Sequence, residues 1–138
     1  MRHPLHPALV HFPVACWSLA TLGDVASLHF GDPAWRFAGA SMAIGTVAAL
    51  AAMLAGLLEF ARIGDDSPAL NDARRHMLLA MAAWCCYATS LVLRLDGTAL
   101  APAGALPLGL SMLGFVLLAA AGWHGGKLVY THGVGVRR

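Results

Sequence analysis

The chain has 138 residues and a formal net charge of +2, and it is 59% hydrophobic, 12% charged and has a mean hydropathy of +0.68. Soluble domains carry about 25% charged residues, so this composition indicates an integral membrane protein rather than a soluble one. The length indicates a single domain. The small net charge, with no basic stretch interleaved with aromatic residues, gives no support to nucleic acid as a partner.

Four apolar segments are predicted to cross the membrane as helices, because lipid cannot satisfy exposed backbone groups. Each is long enough to cross a hydrocarbon core about 30 Å thick. The predicted spans are about 13–30, 37–61, 77–95 and 106–123. The connections "GDPAWR", "RIGDDSPALNDARR" and "DGTALAPAGALP" are short and rich in turn residues, which favours an all-α, up-down-up-down four-helix bundle over residues 1–138. No internal repeat is evident.

The N-terminal stretch "HPLHPALVHFP" precedes the first span, which is expected to be a retained helix rather than a cleaved signal peptide. Two helix starts are compatible with Pro13. A start near Pro7 places Pro13 inside the helix, where it removes a backbone hydrogen bond to Leu9. A start near Phe12 makes Pro13 a favourable first-turn residue, and this start is preferred because it needs no strain.

Lysine and arginine residues predict the orientation, because cytoplasmic loops carry an excess of them. With four spans, the two termini and the second connection lie on one side. Seven basic residues fall there: Arg2, Arg62, Arg74, Arg75, Lys127, Arg137 and Arg138. The other side has two, Arg36 and Arg94. Both termini are therefore predicted to lie in the cytoplasm.

Six of the seven histidines fall at this predicted cytoplasmic end: His3, His6, His11, His76, His124 and His132. His11 and His76 open the first and third spans, which are diagonal neighbours that face each other across the bundle core. Two neutral imidazoles so placed are predicted to bind one haem b iron from both faces. Alternatively, the two histidines bind a transition metal ion. A third interpretation is that they are interfacial residues that bind no cofactor.

Charged residues near His76 are candidates for the same site. Arg74 and Arg75 precede it and suit the propionates of haem, although the orientation rule alone also explains them. Glu59 ends the second span on the same side. Its carboxylate is expected to accept the free N–H of a ligating histidine, or to form a salt bridge with Arg62 three residues later.

The second span is rich in small residues, and Gly45 and Gly56 are 11 apart on one helix face. This face would accept a flat cofactor ring, but close helix packing is the commoner reason for such a pattern. Asp24 is the conspicuous charge within the first span. An ion pair with Arg94 is favoured for it over a proton path.

The last stretch, "GWHGGKLVYTHGVGVRR", follows the fourth span. Gly125 and Gly126 are expected to end or loosen the helix. The rest is expected to lie at the cytoplasmic interface, with a sharp turn where His132 precedes Gly133.

The two ends of the chain, "HPALVHFP" and "GGKLVYTHGVGV", resemble the bacterial membrane family known as domain of unknown function 2231. The acidic residue in "GLLEF" and the histidine in "RRHMLL" extend the resemblance over nearly the whole chain. The resemblance maps the family histidines to His6, His11, His76 and His132. His124 departs from the pattern, which puts it in doubt as a ligand. The resemblance also implies an electron-transfer setting, because relatives are joined to parts of redox systems such as Rieske-type domains.

The leading hypothesis is a b-type, cytochrome-like electron carrier of the bacterial inner membrane, with an electron-transfer protein as its partner. His11 and His76 are the first-choice ligands, while His6 and His132 form a second pair or contact the propionates. A non-catalytic anchor or assembly subunit of a redox complex is the alternative. A metal-ion or proton transporter is third, because the middle of the spans has few polar residues. A stand-alone enzyme is not expected, and homo-oligomerisation is left open.

Overall fold

A computed structural model describes residues 5–136, and this part of the chain folds as two helical hairpins packed side by side. The helices are α1 (Leu5–Phe30), α2 (Asp32–Phe60), α3 (Leu70–Val92) and α4 (Ala105–Tyr130). Between α3 and α4, the short strands β1 (Leu95–Asp96) and β2 (Ala99–Leu100) pair antiparallel. The closest packing is of α1 on α2 and of α3 on α4. The predicted all-α four-helix bundle is confirmed. The predictions on Arg2, His3, Arg137 and Arg138 fall outside the described residues.

Within residues 5–136, three helices are long and apolar enough to cross a membrane: α1, α2 and α4. The remaining long helix, α3, is less apolar because Asp72, Arg74 and Arg75 lie in its first two turns, and its apolar part begins at Met77. The bundle exposes large apolar side chains such as Val47 and Val116 around its sides, as a lipid-facing surface requires.

The first helix starts earlier than preferred from the sequence. It is already formed at Leu5, so Pro13 lies inside it and is buried. Proline has no N–H to donate, so the carbonyl of Leu9 loses its usual helical partner. The early start adds two turns to α1 and carries His6 into the bundle.

The fourth helix also differs from the prediction, because it continues through Gly125 and Gly126 to Tyr130. It ends where Gly133 adopts a positive φ of 66° and the N–H of Val134 donates to the carbonyl of Leu128 at 2.8 Å. This is the common way for a glycine to end a helix. The predicted turn at Gly133 is therefore confirmed.

The bundle core centres on Trp17 of α1 and Tyr87 of α3, whose rings stack with centroids 4.8 Å apart. The Tyr87 hydroxyl and the Thr21 hydroxyl lie 2.8 Å apart, and both are buried. Nearer the opposite end of the bundle, Arg94 donates to both carboxylate oxygens of Asp24 at 2.5 and 2.7 Å. The favoured Asp24–Arg94 ion pair is confirmed. It is fully buried, and forked geometry of this kind satisfies both partners.

Candidate functional site: two facing histidines at one end of the bundle

Two histidines from different hairpins meet at the end of the bundle where α1 begins and α4 ends. The ring centroids of His6 on α1 and His76 on α3 are 5.9 Å apart, and the ring planes are nearly perpendicular at 84°. Both residues are half-buried. The structure therefore brings together two of the predicted metal ligands, but the favoured pair was His11 with His76 rather than His6 with His76.

Each ring is fixed by the neighbouring helix of its own hairpin. The Nδ1 atom of His6 is 2.7 Å from the carbonyl oxygen of Ala52 on α2, and the Nδ1 atom of His76 is 2.8 Å from the carbonyl oxygen of Ala121 on α4. A carbonyl oxygen only accepts hydrogen bonds, so each Nδ1 must carry the proton and donate it. The Nε2 atom of each neutral ring is left with its lone pair free, which is the state that binds a metal.

Glycines allow the rings to approach these carbonyls. A Cβ atom built on Gly56 would lie 2.9 Å from the Nδ1 atom of His6, and one built on Gly125 would lie 3.1 Å from the Nδ1 atom of His76. Any larger residue would push the ring away. Gly56 was predicted as a cofactor contact, and the flat ring that it accepts in the structure is the His6 imidazole. Gly125 was missed as a site residue because a paired glycine after a span is typical of a helix end.

His11 does not face the bundle core, contrary to expectation. It is exposed on α1, whereas His6 shares a face with the buried residues Pro13 and Trp17. Five residues of helix separate His6 from His11, a rotation of about 140° around the axis, so the two cannot face the same neighbour. The early start of α1 makes His6, rather than His11, the residue opposite His76.

The other predicted site residues take different positions. The Glu59 carboxylate accepts the main-chain N–H of His6 at 3.2 Å, where the sequence suggested a histidine ring or Arg62 as its partner. The first N–H groups of a helix have no partner within it, so Glu59 anchors the start of α1. Arg74 and Arg75 are exposed. Gly45 lies against Cys16 and Trp17, deeper in the bundle.

A second cluster joins the C-terminal segment to α3. Asp72 lies in the first turn of α3, and its carboxylate accepts two hydrogen bonds. His124 Nδ1 donates to one oxygen at 2.7 Å, and His132 Nε2 donates to the other at 2.9 Å. His132 therefore pairs with neither His6 nor a neighbouring imidazole. Asp72 was missed because an acidic residue in a first helical turn is common for electrostatic reasons alone. We call Asp72, His124 and His132 the clasp.

The clasp is expected to make the free energy of unfolding depend on pH. Hydrogen bonds from His132 and then His124 lower the pKa of Asp72, which lies outside the apolar part of α3, from its ordinary 3.8 to about 2. A lowered pKa stabilises the folded state above pH 3.8, and this contribution disappears as the pH falls towards 2. We expect Asp72→Asn to melt below the wild type at pH 5 and together with it near pH 2. Thermal melts in an acid-stable detergent measure this.

The exposed Asp66 provides the matched control, and Asp66→Asn is expected to melt like the wild type at every pH. A gap between Asp72→Asn and the wild type that stays constant from pH 5 to pH 2 would contradict the role given to the Asp72 charge.

Within residues 5–136, no group of three or more His, Cys, Asp or Glu side chains is arranged to hold a metal ion by itself. The His6–His76 pair thus offers two nitrogen ligands only.

The family model described as a predicted membrane protein (DUF2231) matches residues 2–138. Searches of curated proteins and of solved structures gave no match.

Proposed function

The chain belongs to the DUF2231 family of predicted membrane proteins, and we propose that this membrane protein binds haem b between His6 and His76 and transfers electrons at one face of the membrane. The family description names no activity, so the proposal depends on the geometry of the two histidines. Haem supplies one-electron chemistry when bound. The protein would supply the two nitrogen ligands and the carbonyls of Ala52 and Ala121, which orient them.

The spacing of the two rings is the observation that supports this proposal. Two imidazole nitrogens that each lay about 2 Å from one metal ion would require ring centroids no more than roughly 6 Å apart. The observed separation is 5.9 Å. Both rings already have the tautomer that leaves Nε2 free, because Ala52 and Ala121 accept the Nδ1 protons.

The surrounding charges suit the same cofactor. Arg74 and Arg75 are exposed beside His76, where they can pair with carboxylates such as haem propionates. The site lies at the end of the apolar bundle, within reach of an electron-transfer protein, for example one of the Rieske type.

The orientation proposed from the sequence puts this end of the bundle on the cytoplasmic side of a bacterial inner membrane. Arg94, counted on the opposite side, is buried in its ion pair with Asp24, so Arg36 is left as the exposed basic residue there among the described residues. The asymmetry that fixes orientation is thus larger than the sequence count.

Absorption spectroscopy tests the proposal. The purified wild type, as isolated or after reconstitution with haem, is expected to show a Soret band and, when reduced, an α-band. His6→Ala and His76→Ala are expected to lose these bands. His29→Ala, at the other end of α1, is the matched control and should keep them.

His11→Ala separates the two ligand assignments. Retention of the bands in this variant supports His6, and their loss in His11→Ala but not in His6→Ala would return the assignment to His11. A wild type without a Soret band after reconstitution would refute haem binding.

A non-catalytic subunit is the second candidate, because both imidazoles already have a hydrogen-bond partner and a glycine surface. The same contacts would serve to pin the two hairpins together without a cofactor. This candidate predicts a colourless protein that co-purifies with a partner. Metal analysis of the same sample then distinguishes a structural transition metal ion at the two histidines from an interface of histidines alone.

A further inference from the structure

The two hairpins have corresponding residues at a constant spacing, although no repeat is evident from the sequence alone. Adding 70 to positions in α1 gives the corresponding positions in α3. His6, Cys16, Trp17 and Asp24 then correspond to His76, Cys86, Tyr87 and Arg94. Two of these pairs are identical and one is aromatic in both helices. The fourth consists of opposite charges.

The second helix of each hairpin follows the same rule with a spacing of 69. Gly45, Ala52 and Gly56 of α2 correspond to Gly114, Ala121 and Gly125 of α4. All three pairs are identical. The spacing differs by one from that of α1 and α3, so the second hairpin has one residue fewer between corresponding positions, although its connection is longer: residues 93–104 join α3 to α4, whereas Gly31 alone joins α1 to α2.

Corresponding residues also make corresponding contacts. His6 lies on Gly56 and bonds the carbonyl of Ala52, as His76 lies on Gly125 and bonds the carbonyl of Ala121. Deeper in the bundle, a Cβ atom on Gly45 would meet Cys16 and Trp17, and one on Gly114 would meet Cys86 and Tyr87. The same pairs of corresponding residues are therefore in contact at two levels of the bundle.

Three corresponding pairs meet each other across the boundary between the hairpins. They are His6 with His76, Trp17 with Tyr87, and Asp24 with Arg94. A residue can contact its own counterpart only at a two-fold axis. Because α1 and α3 run in the same direction, this axis runs along the helices, as in membrane proteins with parallel repeats.

We infer that the chain is a tandem duplication of one helical hairpin, and that the site at its axis consists of two equivalent halves that together hold a single metal centre. Each half has a histidine, a carbonyl that orients it and a glycine that admits it. The metal part rests on the proposed function, whereas the duplication does not. An axis site predicts one haem per chain and equal importance of both halves.

Haemin titration of the full-length protein in detergent tests the equality of the halves. We expect one haemin per chain in the wild type. His6→Ala and His76→Ala should each weaken binding by more than the about 10–100-fold that loss of an outer-shell partner costs, and by amounts within about threefold of each other. His29→Ala should bind as the wild type does. Two haemins per chain, or full binding by one of the two histidine variants, would overturn the equivalent halves.

An exchange of the Asp24–Arg94 pair tests the duplication without a cofactor. Arg94 also bonds Ser90, whose counterpart in α1 is Ala20. Asp24→Arg and Arg94→Asp, made singly, are each expected to lower Tm by on the order of 10 °C, since each leaves two like charges buried together. A fourfold variant with Asp24→Arg, Arg94→Asp, Ala20→Ser and Ser90→Ala rebuilds the same pair with the hairpins exchanged.

The fourfold variant should recover most of the lost Tm, and more than the exchange of Asp24 and Arg94 alone. A fourfold variant as unstable as the single variants would overturn the duplication. Recovery of Tm together with a wild type that does not bind haemin would uphold the duplication and refute the metal centre and the proposed function.

Discussion

Replacing Arg94 with leucine is expected to lower the free energy of unfolding by about 3–5 kcal/mol. The Asp24 carboxylate is fully buried and has Arg94 as its forked partner at 2.5 and 2.7 Å. Without the guanidinium, an unpaired carboxylate remains buried among apolar helices, away from solvent. Thermal or denaturant unfolding in detergent micelles, followed by circular dichroism, measures the loss.

Two further variants test whether the unpaired charge is the cause. Asp24→Leu combined with Arg94→Leu should recover part of the loss, because it removes both charges. Arg36→Leu changes an exposed arginine that lies over the Trp35 ring, and it should cost no more than about 1 kcal/mol. An Arg94→Leu protein as stable as Arg36→Leu would show that the ion pair is dispensable.

Replacing Tyr87 with alanine is expected to cost about 3–5 kcal/mol, as for other large aromatic residues in a core. Tyr87 is fully buried and stacks on Trp17, so alanine leaves a cavity between the two hairpins. Packing contacts matter especially in a membrane, where burial of apolar surface drives helix association little. The same unfolding measurement applies.

Tyr87→Phe separates packing from hydrogen bonding. It keeps the ring and removes the hydroxyl beside Thr21, so we expect a cost of about 1 kcal/mol. Trp123→Ala is the control for loss of an aromatic ring, because Trp123 is 71% exposed on the outer surface of α4. Equal losses in Tyr87→Ala and Trp123→Ala would contradict a core role for the stacked pair.

The ion pair and the stacked rings lie on the same helix faces as the two histidines. Trp17 follows His6 by 11 residues and Asp24 follows it by 18, which are about three and five whole turns. The levels are thus about 16 and 27 Å from the histidines along the bundle. The contacts at these two levels fix the rotation of α1 against α3, and this rotation sets which histidine meets His76.

The glycine face of α2 packs against side chains of α1 rather than against a cofactor in the structure. The spacing of Gly45 and Gly56 indicated one smooth face on the second helix, and the structure confirms that face. The flat groups on it are the rings of Trp17 and His6 from the neighbouring helix. Small residues mark a close approach, but they do not specify what approaches.

The sequence by itself determined the membrane class, the four helices, the family and the Asp24–Arg94 pair. Composition decides whether lipid or water surrounds a chain, and two lone charges at similar depth in apolar helices need each other. Only the tertiary structure decided that His6 rather than His11 meets His76, that Glu59 anchors α1, and that Asp72 joins His124 to His132. These contacts depend on where a helix begins and how it is rotated, because one residue shifts a side chain by about 100° around the axis.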